Sequence, residues 1–495
     1  MRGCLAADVG GGSIKMLAAC CEAGQIRILD QRSVQVPPLA RGGHIYVDVP
    51  GILAAVRGYA EELIQKGMSL QALGIDTFGN GYGLLDERGD LMELPLFYKD
   101  GRTRGVLQEI EKRVPLWELY CATGVYPTDI RVLMQLFCDA RDPRHAIHRS
   151  SRMLLLPDLL NYALTGQMHG EESMASVASL LSTGGGWAVD VLDRLEIPSA
   201  ILPELVKGGG AVHPLRDTVA GGLGRELQVV TVASHDTESA LLAAPELDEH
   251  SVFASVGTSI IFGARTNEPV VSHQGFEGAF KTVKGPFHSS LCRDFNAMWL
   301  FEKCIQAWRR TQPRLTYEDV LEACRTAKEN HTYCNVCDPA LRVEQGDILQ
   351  AIADYCRETG QTPPFGVGET ANCVLDSMVL QALWSLRQIR QITGRNDFQR
   401  LVAIGGGTRN PFLMQRLADA LAMPVVTGSV VSSALGNILM QLYAVGAVSD
   451  LGEMQQIAKH SFTSSTYSPR PAYHEKWEQA LLQFETNDTI RGIWR

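Results

Sequence analysis

Two short stretches, half a chain apart, follow one pattern. In Asp8-Val-Gly-Gly-Gly-Ser-Ile14 and in Ser255-Val-Gly-Thr-Ser-Ile260, an apolar strand runs into Val-Gly, a small-residue turn, Ser-Ile and a second apolar strand. A strand–turn–strand unit that recurs at half the chain's length implies two domains built on one plan. At 495 residues the chain is in any case too long for one ordinary core. The expected division is residues 1–241 and residues 242–495.

Around these repeats the pattern alternates. A third strand follows the turn at Glu22-Ala-Gly24, and strand and turn signals alternate through "ALGIDTFGNGYGLLDERGDLMELPLFYKDGRT". Helical stretches are expected near 105–140 and 152–165. A long amphipathic helix over 369–392 carries Val374, Leu375, Met378, Val379, Ala382, Leu383 and Leu386 on one stripe. A buried strand, "RLVAIGGGTRN", and a helix opening at Pro411 come next. Strands alternating with helices in both halves make the class α/β.

The net charge of −10, with its acids scattered, argues against a nucleic-acid binder or a polybasic membrane adaptor. The N-terminal apolar run is too short for a secretory signal, and no segment approaches the roughly 20 apolar residues that span a bilayer. Twelve cysteines without scaffold-like density read as reduced thiols in a cytoplasmic protein. The spacing His331-x-x-Cys334-x-x-Cys337 suits zinc only with a second ligand pair, which is missing, and a plain loop is the simpler reading.

Three motifs carry chemistry. Asp8 precedes a glycine hairpin whose backbone N–H groups can approach phosphate oxygens, with Ser13 and Lys15 adding a hydroxyl and a cation. Asp8 itself suits a magnesium ion and its waters. "IGGGTRNP" at 404–411 joins a strand to a helix, where bare backbone either lies against a planar base or simply packs tightly. "VASHDTESA" at 232–240 ends an apolar run on His235, Asp236 and Thr237. That triplet reads as a helix N-cap, or as a catalytic carboxylate at the carboxyl end of a strand.

These segments, with "GIDTFGNGYGLLDERG", "PLFYKDGRT", "LLLPDLLNYALTG" and "SSALGNILMQL", resemble those of the FGGY carbohydrate kinases in type and order, and within them the rhamnulokinases. The resemblance covers nearly the whole chain. It implies a two-lobed, actin-like (ribonuclease H-like) sugar-kinase ATPase fold with a central cleft. It also implies a cytoplasmic enzyme that uses ATP and magnesium to phosphorylate a ketose, with room for a homodimer. Asp236 becomes the general base that takes the proton of the attacking sugar hydroxyl. Nucleotide falls to Gly10, Gly11, Gly12, Ser13 and Lys15, to Gly257 and Thr258, to Gly405, Gly406 and Asn410, and to Glu302. Sugar falls to Gly79, Asn80, Gly81, Tyr98, Arg131, His235, Asp236, Thr237 and Asp294, and the metal to Asp8. L-Rhamnulose is the leading substrate, ahead of L-fuculose, L-xylulose or another ketose. A non-catalytic sensor and a protein-directed ATPase of the same fold are disfavoured by the two aspartates and the sugar segments.

The chain also departs from the rhamnulokinase pattern. Where Thr-Trp-Gly-Val-Asp is usual it reads Thr77-Phe-Gly-Asn-Gly81, so an expected aspartate is glycine. Arg131 stands where a neutral asparagine is usual, Asp294 aligns with an asparagine, and Glu302 with a glutamine. Small polyol sites discriminate through the hydroxyls they can pair, so these differences bear on the choice of sugar.

Overall fold

The computed structural model describes residues 2–491, apart from 245, 296 and 343–345. Its first large sheet is built from β1 (Arg2–Val9), β2 (Ser13–Glu22), β3 (Gln25–Gln35), β4 (Ser69–Thr77), β5 (Val212–Pro214) and β6 (Gln228–Val230), in the order β5-β6-β4-β1-β2-β3. Cys4, Leu5, Ala6 and Ala7 of β1 are fully buried, the near-continuous apolar run expected of a strand covered on both faces. Helix α1 (Val49–Gln65) connects β3 to β4, with Asp48 capping the Gly51 N–H at 2.9 Å and Ile52, Val56, Tyr59, Ala60 and Leu63 on its buried stripe.

The second sheet holds β7 (Ser251–Val256), β8 (Ile260–Thr266), β9 (Lys281–Lys284), β10 (Ser289–Phe295), β11 (Arg400–Ile404), β12 (Val425–Thr427) and β13 (Thr466–Tyr467), in the order β9-β10-β8-β7-β11-β12-β13. Its centre repeats the first. In each sheet a hairpin opens the lobe, Val9 pairing with Ile14 and Val256 with Ile260, and two further strands add parallel on the far side of the first strand. The repeat seen in the sequence is therefore a repeat of topology, giving the two-lobed actin-like fold with its central cleft.

Helices α2 (Asp236–Leu242), α3 (Gly366–Thr393), α4 (Pro411–Leu421) and α5 (Ser432–Ala444) complete the frame. α2 follows β6, and α5 follows β12. Ala240, Leu241 and Ala244 pack in one core with Phe253, Val402 and Ile404 of the second sheet, while α5 packs on β1 and β4 of the first. The two helices cross at Gly436, where a Cβ would overlap the Ser239 carbonyl. Each lobe thus lends a helix to the other at the base of the cleft.

The helical stretch expected over 105–140 is three helices, Val106–Glu111, Leu116–Thr123 and Val132–Arg141. Pro115 sits at one boundary, and Gly124 at φ 68° ends the second helix in the left-handed region. The long helix and the start at Pro411 lie where the pattern puts them. Cys334 is buried beside Cys373, its backbone N–H bonded to Ser377 Oγ at 2.8 Å. Among the described residues no three His, Cys, Asp or Glu side chains are grouped to hold a metal, and no helix is long and apolar enough to cross a membrane.

Candidate active site

The segment that carries Asp236 is fixed from two sides. Thr77, at the end of β4, bridges to His235 in parallel register, its N–H donating to Ser234 O at 2.9 Å. From the other side Ser234 N donates to Glu171 Oε2 at 3.3 Å, and His235 N donates to Ser173 Oγ at 3.2 Å. The Glu171 carboxylate also accepts from Ser173 Oγ at 2.5 Å and Met174 N at 3.0 Å. Burial pushes its carboxyl up to about 7 against these bonds. α2 begins at Asp236, with His235 at the N-cap position and no side-chain cap bond; Asp236 and Thr237 stand inside the first turn, so neither is the N-cap that the triplet suggested.

Asp236 itself lies at the mouth of this buried frame, its side chain 36 % exposed, with Thr237 Oγ1 donating to Oδ1 at 3.2 Å and His235 Nε2 3.5 Å away. Burial raises its carboxyl above the usual range; His235 opposes that shift and the nearby Asp8 charge adds to it. Burial pulls the His235 imidazole down to about 4, so the ring is neutral at neutral pH. A half-exposed carboxylate with a raised pKa is suited to accept a proton from a hydroxyl.

Asp8 pairs across the hairpin with Lys15 and across the parallel strands with Asp76. Burial raises the Asp8 carboxyl, and Lys15 opposes it. Asp76 is fully buried, and one oxygen accepts from Asn437 Nδ2 of α5 at 2.5 Å while the other has no partner. Burial first, then the charges of Asp8 and Asp236, lifts it well above the usual range. Sequence reasoning passed over Asp76; an acid inside the apolar strand "LQALGID" was the available signal.

Of the glycine loops, Gly10 N donates to Ser13 O at 2.9 Å and Gly257 N to Ser259 O at 3.0 Å, closing both hairpins. Gly12 opens on free space, and Gly11 lies against Phe97 and the Tyr98 hydroxyl. Burial, and then the Asp236 charge, raises the Tyr98 hydroxyl above its usual range. In the third loop Gly405, at φ 91°, and Gly407 are required by packing on Val256, whereas Gly406 is open. Asn410 caps α4 through Leu413 N at 3.0 Å and donates to Tyr317 OH at 3.0 Å. Glu302 is exposed near Tyr317, on the helix Ala297–Thr311 whose Trp299 N donates to Thr258 O at 2.9 Å.

On the sugar side, a Cβ at Gly79 would lie 3.1 Å from Val177 and 3.8 Å from the His235 ring. Asn80, at φ 73°, leaves Oδ1 without a partner, and its carbonyl accepts from Gln135 Nε2 at 2.9 Å. Gly81 instead abuts Leu156, 3.1 Å from where a Cβ would stand. Behind the loop, Asp139 binds both Tyr82 OH and Arg102, and Arg102 reaches Gln135 at 3.1 Å. Asp294 Oδ2 accepts from Lys281 Nζ at 2.6 Å and lies 3.9 Å from Arg131 Nη2. Burial opposes it, but Lys281 and then Arg131 hold the Asp294 carboxyl below the usual range. Lys281, buried on β9, was not anticipated.

The carboxylates suit a hard cation. The charges of Asp8 and Asp236 raise the Asp76 carboxyl, and that of Asp8 raises Asp236; hard carboxylate oxygens of this kind are the donors that magnesium takes alongside phosphate.

Residues 4–243 match the family model for the N-terminal domain of the FGGY family of carbohydrate kinases, and residues 252–445 match that for its C-terminal domain. The chain is 30 % identical over 457 residues to a rhamnulokinase of Bacteroides thetaiotaomicron, covering 90 % of each. It is 33 % identical over 440 residues to one of Pectobacterium carotovorum subsp. carotovorum, covering 85 % of this chain and 84 % of that one. Among solved structures, a xylulose kinase of Lactobacillus acidophilus shares the fold at a TM-score of 0.83 and 17 % identity, covering 99 % of this chain and 98 % of that one.

Proposed function

The chain belongs to the FGGY family of carbohydrate kinases and is an ATP-dependent sugar phosphotransferase, and on that premise we propose that Asp236 is the base that activates a ketose hydroxyl. The observation that carries this is the hydrogen-bonded frame behind one partly exposed carboxylate: Thr77, Glu171 and Ser173 fix the backbone at 234–235, and the Asp236 side chain next to it is 36 % exposed. The sugar oxygen bonds to the γ-phosphorus, the bond to the departing ADP breaks, and the hydroxyl proton passes to Asp236. Gly10, Gly11, Gly12, Ser13 and Lys15 hold the phosphates with Gly257 and Thr258, and Gly405, Gly406 and Asn410 the adenosine, with Glu302 at its edge. In this division residues 1–241 bind sugar and phosphate, with the catalytic base at their end, and residues 242–495 bind the nucleotide. Asp8 would hold magnesium or its waters, and the ion supplies neutralisation of phosphate charge. Closure of the lobes keeps water from the transferring phosphoryl group.

L-Rhamnulose, giving L-rhamnulose 1-phosphate, is the reference substrate by kinship. L-Fuculose, L-xylulose or another ketose is the second reading, favoured by Gly81, Arg131 and Asp294. The protein works in the cytoplasm, where its free thiols stay reduced. ADP release measured with each ketose and without sugar tests the proposal. Release that no sugar stimulates would refute it.

A further inference from the structure

Arg131 is 5 % exposed, and its donors are poorly matched. Nε has no acceptor, Nη1 reaches Val177 O only at 3.4 Å, and Nη2 stands 3.9 Å from Asp294. Asp294 does not complete it: its Oδ2 is bonded to Lys281 at 2.6 Å and stands beyond hydrogen-bond distance of Arg131. Two buried cations therefore share one carboxylate; the next acid near Lys281, Glu238, also faces Arg265. A guanidinium withdrawn from water and left short of acceptors is costly unless a ligand completes it. Its position is fixed: Val177, whose carbonyl it touches, lies against Gly79, and Gly79 lies against His235.

We propose that the sugar carries a carboxylate, and that Arg131 binds this group. A planar fork of N–H donors matches a carboxylate bidentately, which a neutral hydroxyl cannot do. Asp294 engages Lys281, which leaves Arg131 as the buried cation short of acceptors. The inference rests on the kinase reading above, and it replaces a neutral ketose by an acidic sugar as the preferred substrate.

The test compares kcat/KM for gluconate, 2-ketogluconate, glucuronate and galacturonate with that for L-rhamnulose, L-fuculose and L-xylulose. An acidic sugar is expected to lead by about 10²-fold or more, and Arg131→Asn to lose that lead by a similar factor. Arg131→Lys, which keeps the charge without the fork, is expected to fall between. Calorimetric binding of the same sugars to Asp236→Asn gives a readout that needs no Arg131 variant to fold. A neutral ketose that binds tighter and turns over faster than every acid would overturn the inference and leave the kinase standing. Failure of all sugars to bind or react would overturn both.

Discussion

The two hairpins share a backbone plan and differ in what it carries. In the first lobe Asp8 faces Lys15 across the hairpin and Asp76 across the parallel strands; at the matching points of the second lobe Ser255 faces Ile261 and Ile404. The helix after the last parallel strand opens with Asp236 in one lobe and with Ser432 in the other. One scaffold was thus used twice, and charge was placed on one copy. On the binding mode proposed above, three carboxylates in the second lobe as well would face the phosphates from both sides and repel them. The neutral copy carries Ser255 in place of Asp8, beside the glycine loops at 257 and 405–407.

The sharpest way to break this contrast is at Asp236. Asp236→Asn is expected to fold and bind ATP yet lose at least about 10²-fold in sugar phosphorylation, the usual range for a general base. Near wild-type turnover, measured by ADP release, would remove Asp236 from the chemistry. Next in size, Asp8→Asn is expected to lose about 10- to 100-fold in activity, as for groups that orient a metal's shell. Ser255→Ala, its counterpart, should stay near wild type, and equal losses in the two kinetic series would end the claimed asymmetry.

Stability separates two glycines in the same way. Gly436→Ala pushes a methyl into the Ser239 carbonyl and is expected to cost about 1–3 kcal/mol in urea unfolding. Gly406→Ala meets nothing within 4 Å and should leave stability unchanged while raising the KM for ATP. The reverse order would show that the helix crossing yields easily.

The last effect concerns Glu171. Its carboxyl has a reference value of 4.5 and is held up to about 7 in the fold. Between those values the folded state binds more protons than the unfolded, so stability declines as pH rises through that window, by about 1 kcal/mol per unit at most. Glu171→Gln should flatten this decline in chemical denaturation from pH 4.5 to 7. An unchanged slope would mean that Glu171 is ionised in the fold.

Much of the frame was legible in the chain. Glycine turns between apolar runs, the stripe over α3 and Pro411 at the head of α4 are local signals, because backbone freedom and side-chain period act over a few residues. Asp236 and its neighbours were legible by resemblance, the glycine loops by chemistry. The breaks at Pro115 and Gly124 show the limit even there: apolar spacing continued through 105–140 while proline and left-handed glycine cut the helix. What the sequence by itself determined is which segments form strands, turns and helices, and which residues stand at the strand ends. Only the tertiary structure decided that Asn437 meets Asp76 from 361 residues away, that Glu171 grips the backbone before Asp236, and that Lys281 takes Asp294 from Arg131. Those partners are set by strand order and by the crossing of α2 and α5. A buried charge is stabilised or strained by whatever the fold brings within a few ångströms of it, and no local pattern encodes that distance.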